Sequence, residues 1–195
     1  LTPGDPVSGQ VITISWNDVN SGPGSSGSTF YDRILVINTA TDAILRDIRL
    51  PWYGTIASGG VAAQTYEFRL PDGFSGTGAI EVIISTDSYN SIYEYTADQG
   101  LAAEENNDAS ASVTSTLGIY PDLQVQDLTL SPTSGLVSGG TLHIAWSDVN
   151  VGDADAAVDY WRDRVSVIRN GVEVHIGYLS HFAALEGILP EQGGS

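Results

Sequence analysis

The sequence contains no cysteine and no lysine among its 195 residues. Without cysteine, the chain has no disulfide framework, no thiolate metal site and no cysteine nucleophile. Its seven basic residues are all arginines and stand against 24 Asp and Glu residues, so the formal net charge is −17. We expect no nucleic-acid partner, because contacts to phosphate groups require a basic surface. An acidic chain of this kind stays soluble where salt or divalent cations screen the repulsion between its own charges. We therefore expect the protein to lie outside the cell, in a saline or calcium-containing medium.

Targeting and membrane-spanning segments are also missing from the sequence. The first residues, LTPGDP, lack the basic and apolar regions of a signal peptide. No apolar run approaches the roughly 18 residues of a membrane helix. We therefore expect a mature or excised piece of an extracellular, surface or secreted protein that does not insert into a membrane.

The common catalytic motifs are absent as well. There is no G-x-S-x-G elbow and no H-E-x-x-H pair, and the three histidines, His143, His175 and His181, are widely spaced in the second half of the chain. Residues 22–27 match G-x-G-x-x-G, but the residues after them are typical of a strand rather than of the helix that a dinucleotide site needs. We expect a flexible loop there and no enzymatic activity.

A segment of the chain occurs twice. The segment SGQVITISWNDVN, which contains Trp16, is similar to SGGTLHIAWSDVN, which contains Trp146. Downstream, Phe30-Tyr31-Asp32-Arg33-Ile34 is similar to Trp161-Arg162-Asp163-Arg164-Val165. The spacing between the copies is nearly constant, so one structural module is repeated.

Alternating apolar residues between Gly, Pro and Asn/Asp breaks predict strands. We expect them at residues 12–16, 142–146, 30–38, 43–50, 63–70, 78–86, 109–116, 123–130, 160–169 and 172–178. Asn170-Gly171 indicates a two-residue hairpin, because both turn positions require positive φ. Many short strands predict an all-β fold, an immunoglobulin- or fibronectin-III-like antiparallel β-sandwich in tandem repeat, with Trp16 and Trp146 in the cores.

The two copies are cut at different points. Residues 1–118 are predicted to form a sandwich that lacks its first strand, and residues 119–195 the first half of a second one. This pattern is explained if the sequence is a segment of a longer array of such modules. Strand donation between neighbouring copies, which would build a head-to-tail filament, is the alternative.

Several motifs resemble those of the CARDB module, the cell-adhesion-related domain found in bacteria. They are Pro121-Asp122-Leu123-Gln124-Val125, Gly139 through Trp146, Asn150-x-Gly152 and Trp161-x-Asp163 in the second copy, and Trp16, Asn20-x-Gly22, Phe30-x-Asp32, Leu70-Pro71-Asp72-Gly73-x-Ser75-Gly76, Thr86-Asp87-x-x-Asn90-x-x-Tyr93-Glu94 and Glu105-Asn106-Asn107 in the first. The resemblance implies an immunoglobulin- or fibronectin-III-like sandwich strung in tandem along bacterial or archaeal exoproteins, with a role in adhesion or as a spacer.

One acidic and amide-rich stretch predicts a metal site. Calcium takes 6–8 oxygen ligands, and a loop between the last two strands of the first copy can supply them. The candidate ligands are Asp87, Asn90, Glu94, Glu105 and Asn107. Turn formation is the other interpretation and the favoured one, because Asp and Asn tolerate left-handed backbone and bond to their own main chain.

Two further features remain open. Asp32 and Asp163, each followed by Arg, are expected to form structural ion pairs, with contacts to the turns at Asp18 and Asp148 as the alternative. Tyr89, Tyr93 and Tyr95, with Trp52 and Tyr53, predict either alternate core packing or an exposed aromatic patch. The patch would make the chain a carbohydrate- or protein-binding module attached to a secreted enzyme.

Overall fold

A computed structural model describes residues 5–27, 29–95, 101–156 and 160–182, with the backbone alone at residues 101, 102 and 175. The strands are β1 (Val11–Val19), β2 (Phe30–Asn38), β3 (Ala43–Trp52), β4 (Val61–Arg69), β5 (Gly78–Ser85), β6 (Asp108–Ser115), β7 (Leu123–Ser131), β8 (His143–Asn150), β9 (Tyr160–Arg169) and β10 (Val172–Phe182). Two 3-10 helices span Gly73–Gly76 and Leu101–Glu105. The predicted all-β class and strand positions are confirmed.

The chain forms two compact units, residues 1–118 and 119–195, which we call unit 1 and unit 2. In unit 1, β1 pairs with β4, and a second sheet has the order β3-β2-β5-β6. All of these pairings are antiparallel. Unit 1 therefore has the two sheets that an antiparallel sandwich requires.

The core of unit 1 lies between the inner faces of its two sheets. Ile12 and Ile14 come from β1, and Ile34, Val36 and Ile80 come from β2 and β5. All five side chains are buried. Trp16 continues the apolar face of β1 and packs against this cluster from a partly buried position, as the alternation along the strand predicts.

Unit 2 contains two antiparallel strand pairs, β7 with β8 and β9 with β10. Asn170 and Gly171 connect β9 to β10 and have φ values of 51° and 76°. The hairpin turn predicted from these two residues is confirmed. His143 is exposed on β8.

The hairpins β2-β3 and β9-β10 share an irregularity. In each, the pairing register shifts by one residue near the turn, between Val36 and Ile37 in the first and between Glu173 and His175 in the second. A one-residue bulge moves every later side chain of its strand to the opposite face of the sheet. The bulges therefore decide which residues of β3 and β10 face inward.

The Asn-x-Gly segments after β1 and β8 form loops held by the asparagine side chains. The Oδ1 atoms of Asn20 and Asn150 accept hydrogen bonds from the backbone N–H groups of Gly22 and Gly152, at 3.0 and 3.1 Å. Neither glycine has a positive φ. At Gly152 the constraint is space, since a Cβ atom would lie 2.4 Å from the backbone of Tyr120 and Asp122.

The described part of the chain contains no helix with the length and apolar character that crossing a membrane would require. Residues 22–27 form a loop, and β2 rather than a helix follows it. The interpretation of this glycine-rich segment as a loop is confirmed.

Candidate functional site

An indole N–H meets a carboxylate at the same place in both units. Trp16 Nε1 donates to Asp32 Oδ2 at 3.3 Å, and Trp146 Nε1 donates to Asp163 Oδ2 at 3.0 Å. In each unit, strand alternation puts the aspartate on the inner face of the neighbouring sheet, opposite the tryptophan.

Among the described residues, neither aspartate forms an ion pair with an arginine, and Asp163 Oδ2 instead lies 2.9 Å from His181 Nε2. Arg33 binds Asp47 across the β2-β3 hairpin, and Arg164 binds Glu173 across the β9-β10 hairpin, both at 2.7 Å. Neighbouring residues on a strand point to opposite faces, so each arginine faces outward while the aspartate before it faces inward. The alternative, in which the aspartates reach the turns at Asp18 and Asp148, agrees with the structure.

Asp18 and Asp32 form a buried carboxyl pair in unit 1, with only 2 % of each residue exposed. Burial, followed by the nearby charge of Asp18, raises the pKa of Asp32 from 3.8 to about 7, against the opposing effect of the Trp16 hydrogen bond. Asp18 also accepts hydrogen bonds from Thr86 Oγ1, at 2.9 Å, and from Gln64 Nε2, at 3.4 Å. The pair is favoured when it holds a proton or a cation.

The five sequence-predicted ligands divide between two adjacent cavities of unit 1. Glu94 lines a cavity of about 200 Å³ together with Asp18, Asn20 and Asn106. Asn90, Glu105 and Asn107 line a second cavity of about 320 Å³, which also contains Arg33 and Arg49. Asp87 borders both cavities. Among the described residues that line the first cavity none is basic, so it is the better electrostatic environment for a cation.

Four buried carboxylate oxygens in this region have no hydrogen-bond partner within the described residues. They are Asp32 Oδ1, Asp87 Oδ1, Glu94 Oε2 and Glu104 Oε2. Burial is also the main cause that raises the pKa of Glu94, while a hydrogen bond from Asn107 lowers it. Buried carboxylate oxygens without donors are costly unless a proton or a cation occupies them.

The turn interpretation of the acidic stretch also agrees with the structure. Asp87 and Asn90 have φ values of 44° and 52°, and Asp87 Oδ2 accepts a hydrogen bond from the Ile92 backbone N–H at 2.7 Å. Asp87 thus uses one carboxylate oxygen to shape the loop and leaves Oδ1 directed to buried surroundings without a donor.

Unit 2 brings together Asp148, Asp163 and His181, a group that sequence reasoning missed. One ligand atom from each residue lies within 4.8 Å of the others, a geometry that can hold a metal ion. His181 Nε2 is 2.9 Å from Asp163 Oδ2 and 3.7 Å from Asp148 Oδ2. Burial, followed by the neighbouring Asp163, raises the pKa of Asp148 to about 6, while His181 opposes the shift.

The bulge in β10 explains why this group was missed. If β9 and β10 paired from the Asn170-Gly171 turn without a bulge, Trp161 would pair with Ser180 and His181 would face away from Asp163. The register shift instead pairs Trp161 with His181, so the imidazole stacks on the indole at 5.1 Å, with 9° between the rings. The equivalent pairing in unit 1 joins Phe30 to Trp52, so indole takes the place of imidazole there.

The tyrosines of the predicted aromatic patch are exposed. Tyr89, Tyr93, Tyr95 and Tyr53 all have more than half of their surface accessible, so the expectation of core packing is wrong for them. Trp52 packs against a small cluster of Phe30, Ile56 and Ala62. Tyr93 and Tyr95 lie at the lining of the first acidic cavity.

The raised pKa of Asp32 predicts that the stability of unit 1 depends on pH. The folded state binds a proton more tightly than the unfolded chain, so this stabilisation is complete below about pH 4 and is lost as the pH rises through 7. In buffer with EDTA, we expect Asp32→Asn to be more stable than the wild type at pH 8 and less sensitive to pH between 5 and 8. The expected gain at pH 8 is on the order of 1–2 kcal/mol, since one pKa unit corresponds to about 1.4 kcal/mol.

Urea unfolding at several pH values measures this effect. Asp47→Asn is the matched control, because Arg33 lowers the pKa of Asp47 and keeps it ionised throughout this range. Parallel stability profiles for the wild type and Asp32→Asn would contradict the assignment.

No family model matches the chain, and no curated protein matches it. The chain is similar to the crystal structure of the CARDB domain of the PF1109 protein from Pyrococcus furiosus in complex with di-metal ions, with a TM-score of 0.42 and 16% identity over 60% of this chain and 87% of that one. It is similar to the solution NMR structure of the same domain, with a TM-score of 0.42 and 17% identity over 59% of this chain and 89% of that one. Both of these structures are of a CARDB domain, the family whose motifs the sequence of this chain resembles.

Proposed function

We propose that this chain is a non-catalytic structural or adhesive module of an extracellular bacterial or archaeal protein, and that calcium bound at the acidic cavity of unit 1 stiffens it. The observation that carries the proposal is that Asp87 and Glu94, which line this cavity, each have a buried carboxylate oxygen without a hydrogen-bond partner among the described residues. A cation that binds there would neutralise charge that the fold has already removed from water.

The chemistry of the first cavity favours calcium. Asp18, Asp87 and Glu94 offer carboxylate oxygens, and Asn20 and Asn106 add amide groups to the lining. This oxygen-only set suits a hard cation with six to eight ligands. In this proposal Asp87 and Glu94 are direct ligands, Asn107 orients Glu94, and Asn90 and Glu105 belong to the adjacent cavity, where they shape the loop.

Calcium would connect elements that are far apart in the sequence. Asp18 is the penultimate residue of β1, whereas Asp87 and Glu94 lie in the connection between β5 and β6. An ion shared by these residues would tie the loop to the sandwich. The protein would then be stiffer in a medium that contains millimolar calcium than in one without it.

Calcium is expected to raise the melting temperature. In millimolar calcium, the midpoint should lie several degrees above that in EDTA, because a ligand that binds only the folded state stabilises it by mass action. Differential scanning calorimetry measures the shift, and magnesium at equal ionic strength controls for screening. Asp87→Asn should lose most of the shift.

Asp42→Asn is the matched control for that variant. Asp42 is exposed and has a φ of 57°, so the same substitution is made in the same backbone conformation, away from the cavity. A calcium shift that is absent from the wild type, or that survives unchanged in Asp87→Asn, would contradict the proposal.

We also propose that neighbouring copies of the module are the partners of this chain, arranged head to tail. Val167 follows Asp163 and Val165 on the inner face of β9 and is 36% exposed, whereas its counterpart Val36 in unit 1 is completely buried. Leu179 on β10 pairs with Asp163, lies on the same face and is 48% exposed. A neighbouring module that covers these side chains would bury them, as the second sheet of unit 1 buries the equivalent side chains there.

Association should be visible in the mass of the protein in solution. We expect sedimentation equilibrium to give masses above the 20.6 kDa of a single chain, increasing with concentration. Val167→Glu should lower the average mass, because a charge within an apolar contact opposes association. Val19→Glu, at an exposed position of β1 in unit 1, should not. A single-chain mass at every concentration would contradict the proposal.

Carbohydrate or protein binding, as an accessory module of a secreted enzyme, is a second candidate. The observation in its favour is the exposure of Tyr93 and Tyr95 at an acidic cavity, since tyrosine rings bind sugar faces and protein surfaces. It predicts saturable oligosaccharide binding in calorimetric titrations that Tyr93→Ala abolishes while the melting temperature stays the same. Tyr178→Ala, at an exposed position of unit 2 outside the patch, serves as the control. Equal binding by both variants, or no binding by the wild type, would remove this candidate.

A further inference from the structure

We propose that Asp148, Asp163 and His181 form a second metal site, which binds a divalent transition ion such as Zn²⁺ rather than calcium. The site lies in unit 2 and shares no residue with the acidic cavity of unit 1. Its evidence is independent of the calcium proposal, and the two can fail separately.

The distances between the ligand atoms suit a small ion. Zinc binds imidazole nitrogen and carboxylate oxygen at about 2.0–2.2 Å, which places neighbouring ligand atoms roughly 3–3.6 Å apart. His181 Nε2 lies 2.9 Å from Asp163 Oδ2 and 3.7 Å from Asp148 Oδ2. These separations bracket the required range, so small side-chain movements bring all three atoms to one ion.

Burial makes this group more than a chance cluster. The side chains of His181 and Asp148 are 8% and 9% exposed, and that of Asp163 is 18% exposed. Two carboxylates in such surroundings need a proton or a cation between them. The arginines on either side of Asp163 are used elsewhere, since Arg164 binds Glu173 and Arg162 contacts the hydroxyl group and ring of Tyr160.

The surroundings also hold the ligands in position. Trp146 Nε1 donates to Asp163 Oδ2 at 3.0 Å, and the ring of Trp161 stacks on the imidazole of His181. Contacts of this kind orient metal ligands and strengthen binding. The bulge in β10 is the backbone feature that turns His181 toward the two carboxylates.

The ligand set distinguishes this site from that of unit 1. Imidazole nitrogen suits zinc and its neighbours in the transition series, whereas calcium takes oxygen ligands in greater number. In unit 1, the position that pairs with Phe30 holds Trp52 instead of histidine, and indole is not a metal ligand. We therefore expect one transition-metal site per chain, located in unit 2.

Zinc titration of the full chain by calorimetry, after removal of metals with EDTA and in the presence of millimolar calcium, tests this site. The wild type should bind one zinc ion per chain. His181→Gln and Asp148→Asn should each weaken binding at least tenfold, and Asp148→Asn keeps the size of the side chain if the histidine variant folds poorly. His143→Gln, which changes an exposed histidine of β8, should bind zinc as the wild type does.

Nuclear magnetic resonance of the histidine ring nitrogens identifies the ligand directly. Zinc should shift the Nε2 resonance of His181 and leave that of His143 in place. Zinc affinity that is unchanged in both His181→Gln and Asp148→Asn would overturn the proposal. So would the absence of stoichiometric zinc binding by the wild type, or displacement of the zinc by millimolar calcium.

Discussion

The structure depends on placing carboxyl groups inside a β-sandwich, next to a tryptophan. In both units, the strand that carries the tryptophan also carries an aspartate two residues later, and a second aspartate faces the indole N–H from the neighbouring sheet. Two carboxyl groups in one buried place repel each other unless something positive is shared between them. The stability of the fold therefore depends on bound protons or metal ions, since either can supply the missing positive charge.

The two units meet this requirement with different residues. In unit 1, Thr86 and Gln64 donate to Asp18, and the nearby loop adds further carboxylates without partners. In unit 2, an imidazole approaches the pair directly. Oxygen-only surroundings favour a hard cation, and a nitrogen ligand favours a transition ion. The two units thus surround an equivalent pair of carboxyl groups with different partners.

Local patterns in the sequence were enough to predict the strands and to recognise that one segment occurs twice. Alternation located β1 through β10, and Asn170-Gly171 located a turn, because both signals depend on neighbouring residues. The Asp87 loop was also recognised, although its residues divide between two cavities that only the folded chain defines.

The group in unit 2 could not be predicted in this way. The position of His181 depends on a bulge at Val174, and a shift of one residue changes the face on which a side chain lies. Nothing in the composition of β10 indicates that shift. The equivalent bulge in β3 provides a signal only when the two hairpins are compared in three dimensions.

The most direct test of this account is a carbon-13 NMR titration of the aspartate carboxyl groups, without and with divalent cations. The account predicts that Asp32 and Asp148 titrate well above the usual range near pH 4 in EDTA, and that zinc lowers the pKa of Asp148. If every carboxyl group titrated near pH 4 and none responded to metal, buried carboxyl pairs would not be the basis of this structure.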